Sequence, residues 1–75
     1  MKMATKYVLI QNTVNSLVEM LMKKYQASYD WAMSAVLGSE TYRNLLKSSV
    51  FLEQGDLFVF ESLENELCSH GVIAS

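Results

Sequence analysis

The chain has no proline, three glycines, one cysteine and one histidine among its 75 residues. The single cysteine, Cys68, cannot form an internal disulfide, and a lone thiol is typical of proteins in a reducing compartment. Cys68 and His70 together supply two metal ligands at most, whereas a structural zinc site needs four. We therefore expect a fold that no disulfide, metal or cofactor stabilises.

Residues suited to catalysis are also scarce. A nucleophile and its base would have to come from Cys68, or a serine, beside His70, close to the end of the sequence. The acidic residues of the C-terminal part are spaced like the solvated face of a helix. No group of residues has the pattern of an active site, so we expect a protein that is not an enzyme and has no small-molecule substrate.

Long hydrophobic runs are absent as well. A membrane-spanning helix needs roughly 18 consecutive apolar residues, and no stretch of the chain approaches that length. The apolar stretch that follows the basic start covers only residues 7–10, which is too short for the apolar region of a signal peptide. The sequence therefore predicts a cytoplasmic protein that does not associate with a membrane.

The chain is nevertheless rich in apolar residues. They make up 51% of the sequence and include five Met and one Trp. A domain of this size buries only about 60% of the surface that its unfolded chain exposes. Small domains usually need additional support, so we expect a protein partner or a second copy of the chain to cover the excess apolar surface.

The net charge of −2 is unevenly distributed. Residues 1–47 contain all six Lys and Arg against three acids, which gives +3, and residues 48–75 contain five acids and no base, which gives −5. One interpretation is that an acidic last helix lies beside basic neighbours within the fold. The other is an acidic face that binds a basic partner.

Residues 7–25 have the apolar spacing of one long helix, which no glycine or proline interrupts. Steps of three and four place one set of residues on a core-facing stripe: Tyr7, Ile10, Val14, Leu17, Val18, Leu21 and Tyr25. Leu9 and Met20 form an apolar shoulder beside this stripe, and Met22 flanks it on the other side. So wide an apolar face predicts a central helix with neighbours on more than one side.

Two short helices are predicted next, each with a serine as its N-cap. Ser28 and Ser39 precede an acidic residue in the first turn, where the helix dipole favours a negative charge. Gly38 ends the second helix, and the third is expected to end at Ser48 and Ser49. The residues expected to face the core are Tyr29, Ala32, Met33, Val36, Leu37, Tyr42, Leu45 and Leu46.

Residues 50–67, VFLEQGDLFVFESLENEL, are compatible with a hairpin or with a helix. An isolated two-stranded hairpin is marginal in water, and no upstream segment has the pattern of a third strand. A helix that begins at Gly55 or Asp56, with Asp56 as its cap, would bury one stripe: Val59, Phe60, Leu63 and Leu67. The residues that would then face water are Glu61, Glu64 and Asn65.

The helical interpretation leaves residues 50–54 as an extended connector whose Phe51 or Leu52 enters the core. It completes an all-α prediction for residues 1–75. We expect a single domain, a small bundle of about four helices: a long first helix, two short helices and a C-terminal helix.

The short turn between the second and third helices suggests a helix-turn-helix, with Arg43 exposed on the third helix. That motif requires apolar residues six and nine positions after the turn glycine, where this chain has Asn44 and Lys47. An acidic protein would also attract phosphates weakly. A small DNA-binding regulator is therefore the alternative hypothesis, and nucleic acid is not the partner that we expect.

Trp31 is the most informative single residue of the second helix. It lies roughly opposite Tyr29 and Val36, next to Ala35. A tryptophan that faces away from the core and is flanked by small residues is typical of an interface anchor. The alternative is that Trp31 folds over a neighbouring helix and is only half-buried.

Residues 52–63, LEQGDLFVFESL, resemble a motif of the form His-Thr-Gln-x-x-x-Tyr-Ile-Val-x-Asp-Ile. The residues that agree with it are Gln54, Phe58, Val59 and Leu63, with an acid at Glu61, one position before the Asp of the motif. Leu52 and Glu53 replace its histidine and threonine. The motif is typical of a family of small uncharacterised bacterial helical proteins, often encoded beside proteins that look like ADP-ribosyltransferases. The resemblance implies an antitoxin-like or immunity-like accessory protein.

The sequence therefore predicts a non-enzymatic protein-interaction module. Its partner is expected to be another protein or a second copy of the chain, so that a homo-oligomer is expected in the absence of another partner. The predicted partner-binding residues are the apolar ones left after the inward stripes are filled, together with Ala35: Trp31, Ala35, Leu9, Met20 and Met22.

Overall fold

The computed structural model describes residues 2–73, with side chains described for residues 6–48, 50 and 52–73. These residues form five helices and no strand. The helices are α1 (Lys2–Tyr25), α2 (Tyr29–Leu37), α3 (Glu40–Lys47), α4 (Ser49–Glu53) and α5 (Asp56–Ser69). The prediction of a small all-α bundle is confirmed, and α4 is a short helix in addition to the four that were predicted.

The long helix α1 is central, because it contacts each of the other four helices. Most of its predicted stripe is buried in the core: Ile10, Val14, Leu17, Val18 and Leu21. Tyr25 is half-buried against that core. The prediction for Tyr7 is wrong, since its side chain is 62% exposed. Tyr7 instead lines an open groove with Leu46 of α3.

Both predicted serine caps are confirmed. Ser28 Oγ accepts a hydrogen bond from the Trp31 amide at 3.2 Å, and Ser39 Oγ accepts one from the Tyr42 amide at 3.0 Å. Gly38 is the C-cap of α2 and donates its amide hydrogen to the Ser34 carbonyl. Local hydrogen-bonding chemistry therefore determines where α2 and α3 begin.

The predicted inner face of α2 is only partly correct. Ala32 and Val36 are fully buried, but Tyr29 and Leu37 are exposed. The buried side is rotated toward Trp31 and Ala35, which pack half-buried against the core. Seven of the nine residues of α2 are apolar, all except an aspartate and a serine. Since apolar residues lie on nearly every side, their spacing alone does not determine the rotation of the helix.

The inner face of α3 also differs from the prediction at one position. Leu45 is fully buried and Tyr42 packs half-buried on the core, as expected. Leu46 is exposed, and Thr41 is buried instead. The reason is a polar contact: the Thr41 amide and hydroxyl both bind Glu66 of α5, which turns this side of α3 toward the bundle.

The prediction of an extended connector at residues 50–54 is wrong, because most of this segment lies in the short helix α4. The Leu52 amide donates a hydrogen bond to the Ser48 carbonyl at 3.4 Å, as in a helical turn. Leu52 packs half-buried against the core, as predicted, whereas the side chain of Phe51 lies outside the described residues. A helical turn therefore presents Leu52 to the core, as an extended segment was expected to do.

Residues 50–67 do not form a hairpin: most of them belong to the helices α4 and α5, and α5 is the helix that the helical interpretation predicted. Its predicted stripe is confirmed, with each member buried: Val59, Phe60, Leu63 and Leu67. Asp56 is not the cap; Gly55 takes that position and forms no side-chain capping bond. Glu61 and Asn65 are exposed as expected, but the prediction for Glu64 is wrong, since it is half-buried between α1 and α5.

Candidate protein-binding surface

An open, mainly apolar groove of about 340 Å³ lies between α1 and α5. We call it the α1–α5 groove, and its lining residues are Met20, Lys23, Lys24, Leu57 and Phe60. Leu57 is 66% exposed, more than any other large apolar side chain of the described residues. Phe60 belongs to the buried core, so the groove forms where the core continues to the surface.

The start of α5 explains why Leu57 is left outside the core. Gly55 has φ 99° and ψ 160°, a conformation that favours glycine and fixes the direction in which α5 begins. Leu57 then follows in the first turn, three residues before Phe60 and on the same side of the helix. Phe60 is buried and Leu57 is exposed, so the apolar side of α5 continues from the core into solvent.

The rim of the groove carries an interhelical polar cluster. Lys24 Nζ lies 2.7 Å from a carboxylate oxygen of Glu64, and the Tyr25 hydroxyl donates a hydrogen bond to the same oxygen. The Lys24 ammonium also lies 5.7 Å from the centre of the Phe60 ring, within the range of a cation–π contact. Lys24 therefore contacts both Glu64 and Phe60 of α5 within the fold.

This cluster shifts two pKa values in opposite directions. The hydrogen bond to Glu64 is the main reason that the pKa of Tyr25 rises from 10.0 to about 12, because ionised tyrosine could no longer donate it. Burial acts to raise the pKa of Glu64, but the hydrogen bonds from Lys24 and Tyr25 outweigh burial and hold that pKa below its usual value. The Glu64 carboxylate thus stays charged and holds α5 against the end of α1.

The predicted partner-binding residues do not form one surface. Met20 lines the α1–α5 groove, and Leu9, 48% exposed, lies eleven residues earlier on the same side of α1. Met22 packs on the other flank of α1, while Trp31 and Ala35 belong to α2.

The residues predicted to be left over once the core is filled differ in exposure, and Leu9 is exposed. Met20, Met22 and Trp31 are half-buried and pack against the core. Of the two interpretations of Trp31, the half-buried one describes its position. Binding of a partner by these residues stays a prediction.

A second groove, of about 350 Å³, lies between the first turns of α1 and the end of α3. It is lined by Lys6, Tyr7, Ile10 and Leu46, and the Lys6 ammonium donates a hydrogen bond to the Leu46 carbonyl at 3.1 Å. Sequence reasoning missed this groove because it placed Tyr7 and Leu46 in the core. Both residues fit an apolar stripe, and only the positions of the neighbouring helices leave them uncovered.

The α3 N-terminus is bound by a carboxylate from α5. Glu66 accepts hydrogen bonds from the amides of Glu40 and Thr41 at 2.7 and 2.9 Å, and from the Thr41 hydroxyl at 2.9 Å. Ser39 Oγ accepts the next amide, so that the first three amide hydrogens of α3 are all satisfied. Burial acts to raise the pKa of Glu66, but these hydrogen bonds outweigh burial and lower it.

This arrangement bears on the helix-turn-helix hypothesis. A recognition helix contacts DNA through its N-terminal residues, and helix N-termini are also common phosphate ligands. In α3 those amides already bind Glu66, which places a negative charge where a phosphate would approach. Asn44 and Lys47, which occupy the apolar positions of the motif, are exposed. The geometry of α3 therefore argues against binding DNA in this way.

Cys68 and His70 do not form a site in the described part of the chain. Cys68 is half-buried, His70 is exposed, and no hydrogen bond joins their side chains. Among residues 2–73 no cluster of three or more His, Cys, Asp or Glu residues could hold a metal ion. Over the same residues, no helix combines the length and the apolar character needed to cross a bilayer.

Comparison with protein-family models, with curated proteins and with solved structures gives no match to this chain. The resemblance of residues 52–63 to the bacterial motif stays a prediction. Two of the agreeing residues, Val59 and Leu63, are buried in the core, where many helical proteins need an apolar residue. Gln54, Phe58 and Glu61 are exposed, so they are accessible to a partner.

Proposed function

We propose that the chain is a non-enzymatic protein-interaction module that binds another protein chain through the α1–α5 groove. The observation that carries this proposal is the exposure of Leu57 beside Met20 and Phe60, where the apolar core continues to the surface. Leaving apolar area in water costs about 25 cal/mol per Å². A protein that covered the groove would therefore stabilise the fold while it bound.

A contiguous group of apolar side chains is better evidence for binding than scattered ones. Single exposed apolar residues are normal on protein surfaces, and Leu37 at the end of α2 is an example. In the α1–α5 groove, by contrast, Met20, Leu57 and Phe60 line one depression, and lysines stand at its edge. An apolar centre with a charged rim is the usual arrangement of a protein–protein interface.

The shape of the groove favours a protein over a small molecule. Small-molecule sites are concave and combine an apolar wall with a few converging polar groups. The α1–α5 groove is open, and its two lysines are its only polar lining residues within the described part of the chain. Broad contact with a side of another protein fits this shape, and a catalytic role does not.

The resemblance in residues 52–63 supplies a biological setting for the proposal. It supports a cytoplasmic bacterial accessory protein, antitoxin-like or immunity-like, whose partner is similar to an ADP-ribosyltransferase. Co-expression of the chain with the product of an adjacent gene tests this setting separately from the binding surface.

The binding surface is tested by isolating the tagged chain from the cells that encode it and measuring the mass of its complexes. Leu57→Glu places a charge in the α1–α5 groove, and Leu37→Glu is its matched control at an exposed leucine of α2. We expect the unmodified chain and Leu37→Glu to form the same complex. Leu57→Glu is expected to lose it while circular dichroism shows an unchanged helix content.

Two results would overturn the proposal. One is a chain that runs as a monomer of 8.5 kDa with no protein bound, and the other is an equal effect of the two substitutions. Retention on duplex DNA that falls with increasing salt would instead support the regulator hypothesis. The same purified tagged chain is used for the protein-binding and the DNA-binding measurements.

A further inference from the structure

Exposed side chains of opposite charge, Lys23 on α1 and Glu61 on α5, lie at the two edges of the α1–α5 groove. Lys23 lines the α1 edge and is exposed. Glu61 is exposed on α5, one turn after Leu57 and adjacent to Phe60 in the sequence, so it lies on the outer side of the α5 edge. Among the described residues neither Lys23 nor Glu61 has an ion-pair partner. An apolar groove therefore separates an unpaired lysine on α1 from an unpaired glutamate on α5.

Two further exposed acids lie near the edges without lining the groove: Glu19, one turn before Lys23 on α1, and Asp56, next to Leu57 on α5. Lys24 and Glu64 pair with each other at 2.7 Å and contribute no net charge. The polarity of the two edges also agrees with that of the whole chain, which is +3 over residues 1–47 and −5 over residues 48–75. Two copies of this surface are therefore complementary when one is rotated by half a turn so that its Lys23 faces Glu61 of the other.

We propose that the chain that binds the α1–α5 groove is a second copy of this chain, related by a two-fold axis that runs along the groove. This inference rests on the proposed function and names its partner. In the dimer Met20, Leu57 and Phe60 of the two copies meet at the centre. Lys23 of each copy pairs with Glu61 of the other, which gives two equivalent ion pairs.

The charges select the direction of the axis. A two-fold axis along the groove lays the α1 edge of one copy on the α5 edge of the other, so that unlike charges meet. An axis across the groove would lay α1 on α1 and bring the two Lys23 side chains together, which is unfavourable. Self-complementary patches of this kind are what a closed two-fold dimer requires.

Charge reversal tests the dimer directly by sedimentation equilibrium. Lys23→Glu and Glu61→Lys each place like charges opposite each other at two positions, so each is expected to weaken the dimer by about tenfold or more. The double variant Lys23→Glu/Glu61→Lys exchanges the charges and is expected to dimerise like the unmodified chain. Lys47→Glu and Glu53→Lys reverse exposed charges on α3 and α4 and serve as controls that leave the dimer intact.

Mixing the two single variants provides a second test that does not depend on the double variant. In the mixture one copy supplies glutamate at both positions and the other supplies lysine at both. We expect the mixture to form a heterodimer although each variant alone is weakened. Circular dichroism of every variant shows whether its fold is intact before the comparison is made.

The results that overturn the dimer are distinct from those that overturn the proposed function. Single reversals that leave the dimer unchanged, or that neither the double variant nor mixing rescues, overturn the two-fold arrangement. An unmodified chain that is monomeric alone, but binds a different protein in a manner that Leu57→Glu abolishes, overturns self-pairing and leaves the interaction module supported. A monomer that binds no protein overturns both.

Discussion

At the scale of single residues, Glu66 joins α5 to α3 by three hydrogen bonds. Its carboxylate lies where the α3 dipole is positive, and it satisfies the two amides that the Ser39 cap leaves unpaired. Sequence reasoning did not find this role, because Glu66 belongs to a run of acids that has the spacing of a solvated face. Only the packing of α5 against α3 brings its carboxylate to the Thr41 amide.

We predict that Glu66→Ala lowers the free energy of unfolding by about 1–3 kcal/mol, because it removes three hydrogen bonds and a capping charge. Chemical denaturation measures the change. Glu53→Ala is the control, since an exposed side chain with no hydrogen bond or ion pair among the described residues contributes within about 0.5 kcal/mol. Equal effects of the two substitutions would contradict the capping role.

The lowered pKa of Glu66 determines the direction of the pH dependence. A carboxyl group whose pKa is lower in the folded state stabilises the fold above its unfolded value of 4.5, and this stabilisation is lost as the pH falls through the folded-state pKa. The difference in stability between the unmodified chain and Glu66→Ala should therefore shrink as the pH falls below 4.5. A difference that grows in acid would show that the sign is wrong.

Tyr25 gives the corresponding prediction in alkali. Its pKa of about 12 implies that its hydrogen bond to Glu64 stabilises the fold fully below pH 10.0 and is lost as the pH rises through about 12. Ultraviolet absorbance follows the ionisation of tyrosine with pH. The titration curve of the unmodified chain minus that of Tyr25→Phe gives the contribution of Tyr25 alone. A midpoint near 12 is expected, and a midpoint near 10.0 would mean that Glu64 does not hold the hydroxyl.

At the scale of helices, the sequence predicts the helix caps better than it predicts which side of each helix is buried. Ser28 and Ser39 were identified as caps because a capping bond needs only residues close in sequence. The stripe of α5 was predicted because Val59, Phe60, Leu63 and Leu67 lie on one side at helical spacing, although Leu57 and Phe58 of the same helix are exposed. The rotation of α2 and the exposure of Leu46 were not, because they depend on which neighbouring helix lies beside each turn.

The start of α5 is the helix boundary that the sequence left open between Gly55 and Asp56. Gly55 has no atom within 4 Å of the position that a Cβ would occupy, so a substitution there meets no steric clash. Its φ of 99° is nevertheless unfavourable for any residue with a side chain, and we predict that Gly55→Ala destabilises the fold by about 1–3 kcal/mol.

Thermal and chemical denaturation measure the effect of Gly55→Ala. The neighbouring Gln54→Ala is the control, because Gln54 is exposed and forms no side-chain hydrogen bond within the described residues. A Gly55→Ala variant as stable as the unmodified chain would show that α5 can begin in another conformation without cost.

At the scale of the whole molecule, the fold class and most of the core were predictable, whereas the candidate site was only partly so. The predicted stripes meet in one core around α1, as their spacing required. Leu9 and Met20 were identified as a shoulder, but the lining of the groove by Leu57 and Phe60 depends on how α5 packs on α1. Sequence periodicity describes one helix at a time and carries no information on such a junction.

The core itself provides a prediction at this scale. Leu17 of α1 and Leu63 of α5 are both fully buried, and truncation to alanine is expected to cost about 2–5 kcal/mol at each position. Denaturation of Leu17→Ala and Leu63→Ala measures this cost. A change below about 0.5 kcal/mol at either position would be typical of a surface residue and would contradict the packing of α1 and α5 in one core.

The central claim, that the α1–α5 groove binds a protein chain, is tested most directly by the methyl signal of Met20. Methionine methyl labelling gives five signals, and Met20→Leu and Met33→Leu assign the two that matter. Met33 of α2 serves as the internal reference, since it packs on the core outside the groove. We predict that the Met20 signal shifts when the complex forms and that the Met33 signal does not. Formation of the complex without a shift at Met20 would contradict the claim.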